Sequence, residues 1–120
     1  MGNTILVIED EYGILTLIQE ALTRAGHHVE IASDGEEGIQ KFDNRSYDLV
    51  ITDILMPRVD GRGVARHIRN SNKKATHIIA ISGTPWLLEN KEFDMVLQKP
   101  FSLQTLIDSV ENLPRLSTRM

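Results

Sequence analysis

The sequence predicts an α/β fold: a doubly wound parallel sheet of five strands with helices on both faces. Three observations predict it. Short apolar runs alternate with helical stretches along the chain, the pattern of strand–crossover–strand units. The runs at 4–8, 47–53 and 77–82 are rich in consecutive apolar residues, as strands covered on both faces are. One run, "HVEIA" at 28–32, alternates apolar and polar residues instead, which suits a sheet edge.

Each element has its own signal. "TILVI" (4–8) is the first strand, bounded by the acids Glu9 and Asp10. A helix follows, with Ile14, Ile18, Ala21, Leu22 and Ala25 at helical spacing and Gly26 as its stop. After the edge strand, "SDGEEGIQKF" (33–42) opens with capping residues and acids in its first turn and places Ile39 and Phe42 on one side. Two glycines weaken this second helix. "YDLVITD" (47–53) is the third strand. "GRGVARHIRNS" (61–71) is a helix with Val64, Ala65 and Ile68 as its apolar stripe. "HIIAIS" (77–82) and "DMVLQK" (94–99) are the last two strands, and between them "TPWLLENKEF" (84–93) leaves room for a short fourth helix. Ser102 caps the last helix, whose core face is Leu103, Leu106, Ile107, Val110 and Leu113. "PRLSTRM" (114–120) reads as a disordered end or the stump of a linker.

Right-handed crossovers restrict the topology. With the alternating strand on an edge, the order is the flavodoxin-like 2-1-3-4-5. In such sheets ligands bind beyond the carboxyl ends of the strands, where the strand order reverses. Here that point lies between strands one and three.

The chain delivers chemistry to that rim. Strand one ends in Glu9 and Asp10, strand three in Asp53, strand four in Ser82 and strand five in Lys99. Each residue alone has a plain structural reading, since acids cap helices and Asp and Ser favour turns. All five on one edge of one sheet favour function. Three close carboxylates need raised pKa values or a counter-charge. Oxygen ligands without cysteine point to Mg²⁺ or Mn²⁺ rather than zinc. A carboxylate beside such a cation and an ammonium can attack phosphorus to give an acyl phosphate. Lys99 and the metal would neutralise the transferring group, and Ser82 would donate a hydrogen bond to it. Asp53, central among the acids, is the nucleophile in this reading.

Bulk properties agree. At 120 residues the chain is about one domain, long enough to bury a core without disulfides, and it has no cysteine to form any. The absence of cysteine fits a cytoplasmic protein. A formal net charge of −4 argues against direct nucleic-acid binding. No apolar run has the length of a membrane span, and "MGNTILVIED" lacks the marks of a signal peptide.

"ILVIEDE", "DLVITDILMP", "IIAISG" and "QKPF", in this order and spacing, resemble the response-regulator receiver domain of two-component signalling over nearly the whole chain. The resemblance implies a single receiver domain over 1–120, with about 114–120 as tail. It implies phosphorylation of Asp53 by a histidine kinase or histidine phosphotransfer protein. Metal ligation would come from Asp10 and Asp53, from the Leu55 backbone carbonyl, and from Glu9 through water. Ser82 and Lys99 would contact the phosphoryl group, and the Lys99–Pro100 bond would be cis. Output would be control of a downstream protein or phosphoryl relay, since the receiver leaves no room here for an output domain. The helix 4–strand 5–helix 5 face is the family's usual place for partner binding and dimerisation, so the resemblance leaves a homodimer through it open.

Three positions depart from the family pattern. Val96 stands where an aromatic usually links phosphorylation to the surface. Ser82 to Lys99 is roughly one helical turn shorter than usual, so the fourth helix should be short or irregular. Gly83 replaces a common alanine. Leu55 and Thr84 stand where the family tunes dephosphorylation, and Leu55 has no polar group to orient water, which predicts slow loss of the phosphoryl group. A pseudo-receiver scaffold, binding partners without phosphorylation, is the alternative that Val96 and the short fourth helix suggest. A phosphatase using an aspartyl phosphate would want a second Asp where Leu55 stands. A flavin carrier would meet a repelling acidic rim. Of the four histidines none pairs with another on a helical face, so they read as structural or solvated. Trp86 is either a partner anchor or a local core residue. The basic stripe of 62–74 reads as a solvated helix face, with kinase docking as the lesser reading.

Overall fold

The structure, a computed structural model, describes residues 2–85 and 92–116, the last three of these by backbone alone. Nine elements run in order: β1 (Thr4–Ile8), α1 (Tyr12–Arg24), β2 (His28–Ala32), α2 (Gly35–Asn44), β3 (Leu49–Asp53), α3 (Gly61–Arg69), β4 (His77–Ser82), β5 (Met95–Gln98) and α4 (Leu103–Leu116). The strands form one sheet in the order β2-β1-β3-β4-β5, with every neighbouring pair parallel. This is the predicted order, with "HVEIA" on the edge.

Alternation along the strands splits the interior into two cores. Leu6 and Ile8 of β1, Val50 of β3, and Ile78 and Ala80 of β4 face α2 and α3, where Phe42, Val64, Ala65 and Ile68 cover them. Ile5, Val7, Leu49, Ile51, Ile79 and Ile81 face the other way, against Leu15, Ile18 and Leu22 of α1 and Leu106, Val110 and Leu113 of α4. Residues 5–8 and 49–53 are buried throughout, because helices cover both faces of the strands.

Several expectations need adjustment. The buried stripe of α1 centres on Leu15, Ile18 and Leu22, while Ile14 is only partly buried. Leu103 starts α4 at the surface, and the buried face of that helix begins at Leu106. α4 continues to Leu116, three residues into the expected tail. The two glycines that weakened α2 in the sequence are what lets it pack. A Cβ on Gly38 would lie 2.4 Å from Ile8 Cδ1, and one on Gly35 would lie 2.2 Å from the Val59 carbonyl oxygen. The expected fourth helix and Trp86 fall largely or wholly on 86–91, outside the described residues.

The caps follow the sequence closely. Asp34 accepts from the Glu37 N–H at 2.8 Å, and Asp60 from the Gly63 N–H at 2.9 Å. Ser102 accepts from the Thr105 N–H at 3.0 Å. Gly26, at φ 99°, takes the left-handed position just past α1. His27 is buried and structural, its Nδ1 accepting the Asn3 N–H at 3.0 Å.

Candidate functional site

The carboxylate at the end of β3 is set by register. Asp53 pairs with Ile81, so the chain leaves the sheet directly after it, and Ser82 stands one residue further along the neighbouring strand. The Ile54 N–H donates to the Ile81 carbonyl at 3.1 Å, and the Gly61 N–H returns to the Ile54 carbonyl at 2.9 Å. These bonds fold the loop back so that α3 starts against the strand end. Only glycine fits at position 61, since a Cβ there would lie 2.5 Å from the Asp53 carbonyl oxygen. Asp53 is left 4% exposed, its side chain in the mouth between β1 and β4.

Glu9 follows β1, and its N–H donates to the Ala32 carbonyl of the edge strand at 3.1 Å. Its side chain turns inward and is 1% exposed. Oε2 accepts the Glu11 N–H at 3.1 Å, and Oε1 is buried with no hydrogen-bond partner among the described residues. This carboxyl's pKa is raised from 4.5 to about 7, with burial the largest influence. Within that net shift the Asp53 charge also raises it, while the Glu11 N–H and the Lys99 ammonium pull it down. Asp10, next in sequence, is exposed. One oxygen from each of Glu9, Asp10 and Asp53 lies within 4.8 Å of the other two.

Lys99 closes the site from β5. Its N–H donates to the Ser82 carbonyl at 2.9 Å, and the following bond to Pro100 is cis, as expected. Its Nζ lies 3.2 Å from Asp53 Oδ2, an ion pair whose carboxylate is buried and whose ammonium side chain is 31% exposed. Ser82 is buried, and its Oγ accepts the Thr84 N–H at 3.0 Å. That bond uses a lone pair and leaves the hydroxyl proton for another acceptor. Leu55 lies two residues beyond Asp53 with 77% of its surface exposed. Val96 is partly buried against the core on the α2–α3 side, so it packs inward rather than lying on the edge.

The structure therefore gathers the Glu9, Asp10 and Asp53 carboxylates within 4.8 Å of one another, pairs Lys99 with Asp53, sets Ser82 on the neighbouring strand, and leaves Leu55 exposed. The acidic group fits a hard divalent cation: oxygen donors only, close enough to share one ion, one of them a buried oxygen in want of a partner. Sequence reasoning missed two supports. The close approach of Gly61 to Asp53 holds the loop, and the short spacing from Pro57 to Gly61 was its signal. Arg58 takes a left-handed backbone, φ 66°, and pairs with Asp34 at 3.2 Å. Nothing local in the sequence marked that pair.

Comparison with known proteins agrees with this geometry. The family model described as the response regulator receiver domain matches residues 5–111. The alkaline phosphatase synthesis transcriptional regulatory protein PhoP of Bacillus subtilis is 34% identical, the match covering 98% of this chain and 50% of that protein. The chain thus spans about half the length of the curated relatives it matches. Among solved structures, the response regulator protein TrrA of Thermotoga maritima, in complex with Mg²⁺–BeF, is 35% identical with a TM-score of 0.84, covering 94% of this chain and 99% of that one. The chemotaxis response regulator CheY4 of Vibrio cholerae is 25% identical with a TM-score of 0.88, again over 94% of this chain and 99% of that one. With the fold, the carboxylate cluster and these matches in agreement, the chain belongs to the response regulator receiver domain family.

Proposed function

We propose that this chain is a phospho-accepting receiver, a signalling module rather than a metabolic enzyme. Asp53 takes a phosphoryl group from the phosphohistidine of a histidine kinase or a histidine phosphotransfer protein. A carboxylate oxygen of Asp53 attacks phosphorus, the P–N bond breaks, and its electron pair stays on the imidazole nitrogen. The observation that carries this reading is the Asp53 carboxylate itself: buried, at a strand end, 3.2 Å from an ammonium and within sharing distance of two further acids.

Each neighbour has a role. Asp10, Asp53 and the Leu55 carbonyl, with Glu9 through water, would hold Mg²⁺, or Mn²⁺ in its place. When bound, the ion would supply positive charge to the phosphoryl oxygens and relieve the repulsion among the acids. Lys99 would follow the transferring group as Asp53 becomes an acyl phosphate, exchanging a carboxylate oxygen for a phosphoryl oxygen. Ser82 retains a proton to donate to the same group. Thr84, whose N–H orients the Ser82 hydroxyl, ties that residue to the start of the segment leading toward β5.

The change of state would control a protein partner. With Val96 packed in the core instead of an aromatic, the signal would pass through movement of Ser82 and the 83–85 backbone rather than through ring rotation. A downstream contact or a homodimer would use the face of β5, α4 and the segment between β4 and β5. We take the whole chain as one receiver domain, cytoplasmic, making no direct nucleic-acid contact of its own. No helix among the described residues is long and apolar enough to cross a membrane. The transcriptional roles in the relatives' names belong to proteins about twice the length of the match.

The test is to mix the protein with Mg²⁺ and acetyl phosphate and measure intact mass, with Asp53→Ala alongside. Gain of one phosphoryl group by the parent alone is expected. No gain, with Mg²⁺ binding intact, would favour the scaffold alternative.

A further inference from the structure

We propose that the exposed face of α3 is a docking surface for an acidic helix of a protein partner. Buried Val64, Ala65 and Ile68 fix the rotation of α3 against the sheet. Arg62 and Arg66, four residues apart, therefore stand together on the outward face. Arg58 precedes them by four residues in the loop after Asp53, and Lys74 follows in the turn before β4. All four are exposed. Among the described residues no carboxylate pairs with Arg62, Arg66 or Lys74. Arg58 pairs with Asp34 at 3.2 Å, its own side chain two-thirds exposed and the aspartate half-buried, a contact open enough to solvent to be weak.

Two of these positions work against local stability. Arg62 lies in the first turn of α3, where the helix dipole favours an acid, and that turn contains none. Arg58 adopts φ 66°, a conformation that suits glycine or asparagine far better. Arg66, near the carboxyl end of the helix, is the one cation the dipole explains. Arg58 is offset by its pair with Asp34, whereas Arg62 breaks the local rule with no carboxylate partner among the described residues, as residues kept for function do. Arg62 is that exception on the stripe it shares with Arg66.

The charge pattern selects the occupant. Arg62 and Arg66 are about 6 Å apart along the helix, the spacing of acids at i and i+4 on a helix lying alongside. Guanidinium groups bind carboxylates in a planar, two-pronged fashion that lysine does not match. Nucleic acid fits less well. The chain as a whole carries −4, so a uniformly anionic polymer meets repulsion from the rest of the molecule within a Debye length of about 10 Å. A discrete acidic stripe on a mixed-charge protein does not. The inference stands apart from phosphoryl chemistry, because none of the four cations touches the carboxylate site.

The experiment is fluorescence anisotropy at low salt with the full chain. The probe is a labelled helical peptide carrying glutamates at every fourth position on one face. Its controls are a peptide of the same composition with glutamates spread around the helix, and a mixed-sequence DNA duplex. The patterned peptide should bind tightest. Arg62→Ala with Arg66→Ala should weaken it about fivefold, the loss of two exposed charge pairs. Arg62→Glu with Arg66→Glu should instead prefer a lysine-patterned peptide. Circular dichroism should match the parent in both variants and thermal denaturation should differ little, since the relief at Arg62 and the loss at Arg66 act at opposite ends of the helix dipole and offset. Equal binding of the two glutamate peptides, indifference to the arginine substitutions, no measurable binding, or tighter binding of the duplex would each overturn the proposal.

Discussion

Replacing Glu9 by Gln should make the metal-free protein more stable at alkaline pH while weakening its response to Mg²⁺. Glu9 is 1% exposed and faces two other acids, and its pKa rises from 4.5 to about 7. The folded state thus holds this proton more tightly than the unfolded chain does. The stability it contributes is present in full below pH 4.5 and is lost as pH rises through about 7. A rise of that size corresponds to about 3 kcal/mol once Glu9 is fully ionised. Glutamine keeps the volume and an oxygen for the Glu11 N–H, and removes the charge. At pH 8, Glu9→Gln should be more stable than the parent by about 1–3 kcal/mol, raising Tm by about 4–12 °C for a domain of this size. At pH 4.5 the difference should shrink below about 0.5 kcal/mol. Added Mg²⁺ should stabilise the parent by about 1.4 kcal/mol at ten times its Kd, and the variant by much less at the same concentration. The assay is thermal denaturation by circular dichroism at both pH values, with and without Mg²⁺. A variant less stable than the parent at pH 8, or a gap that widens on acidification, would refute the reasoning.

Other perturbations have equally definite outcomes. Lys99→Ala leaves the carboxylate cluster without its cation, and urea titration at pH 8 should register a loss of about 1–2 kcal/mol, below the full cost of a buried pair because the lysine is partly exposed. Gly61→Ala forces a Cβ against the Asp53 carbonyl, so it should destabilise by about 2 kcal/mol or more and slow phosphorylation by acetyl phosphate, which intact mass against time would follow. Leu55→Asn supplies a polar group at the rim, and phosphorylated protein should lose its added mass faster in that variant than in the parent; equal decay would remove Leu55 as the cause of slow loss. Gly38→Ala pushes into Ile8 in the core and should cost about 1–3 kcal/mol by denaturant titration, with phosphorylation of the folded fraction retained.

The topology was legible because two periodicities carried it: near-continuous apolar strands for the buried positions, and the alternation of "HVEIA" for the edge. The site was legible because a doubly wound sheet sends the residue after each strand to the same rim. Glu9, Asp53, Ser82 and Lys99 could therefore be grouped without any contact being known. Tertiary fit was not legible. The glycines of α2 looked like helix weaknesses, and only the approach of Ile8 and Val59 explains them. Leu103 and Ile14 matched the helical stripe by spacing, yet they flank a groove between α1 and α4 rather than filling the core. Helical period fixes which residues share a face, not where the covering ends. The tail expected from 114 onward begins later, because α4 runs on to Leu116. Arg58 gave no sign of its left-handed backbone, because the loop between Pro57 and Gly61 is set by how α3 docks on the end of β3.

The central claim is that Asp53, and neither of its acidic neighbours, accepts the phosphoryl group. Borohydride reduces an acyl phosphate to the alcohol, turning a phosphorylated aspartate into homoserine. The protein would be treated with Mg²⁺ and acetyl phosphate, reduced, digested and sequenced by mass spectrometry. Homoserine at position 53, absent when Mg²⁺ is left out, is the predicted result. Reduction at Asp10, conversion of Glu9 to its alcohol, or no conversion anywhere would contradict it.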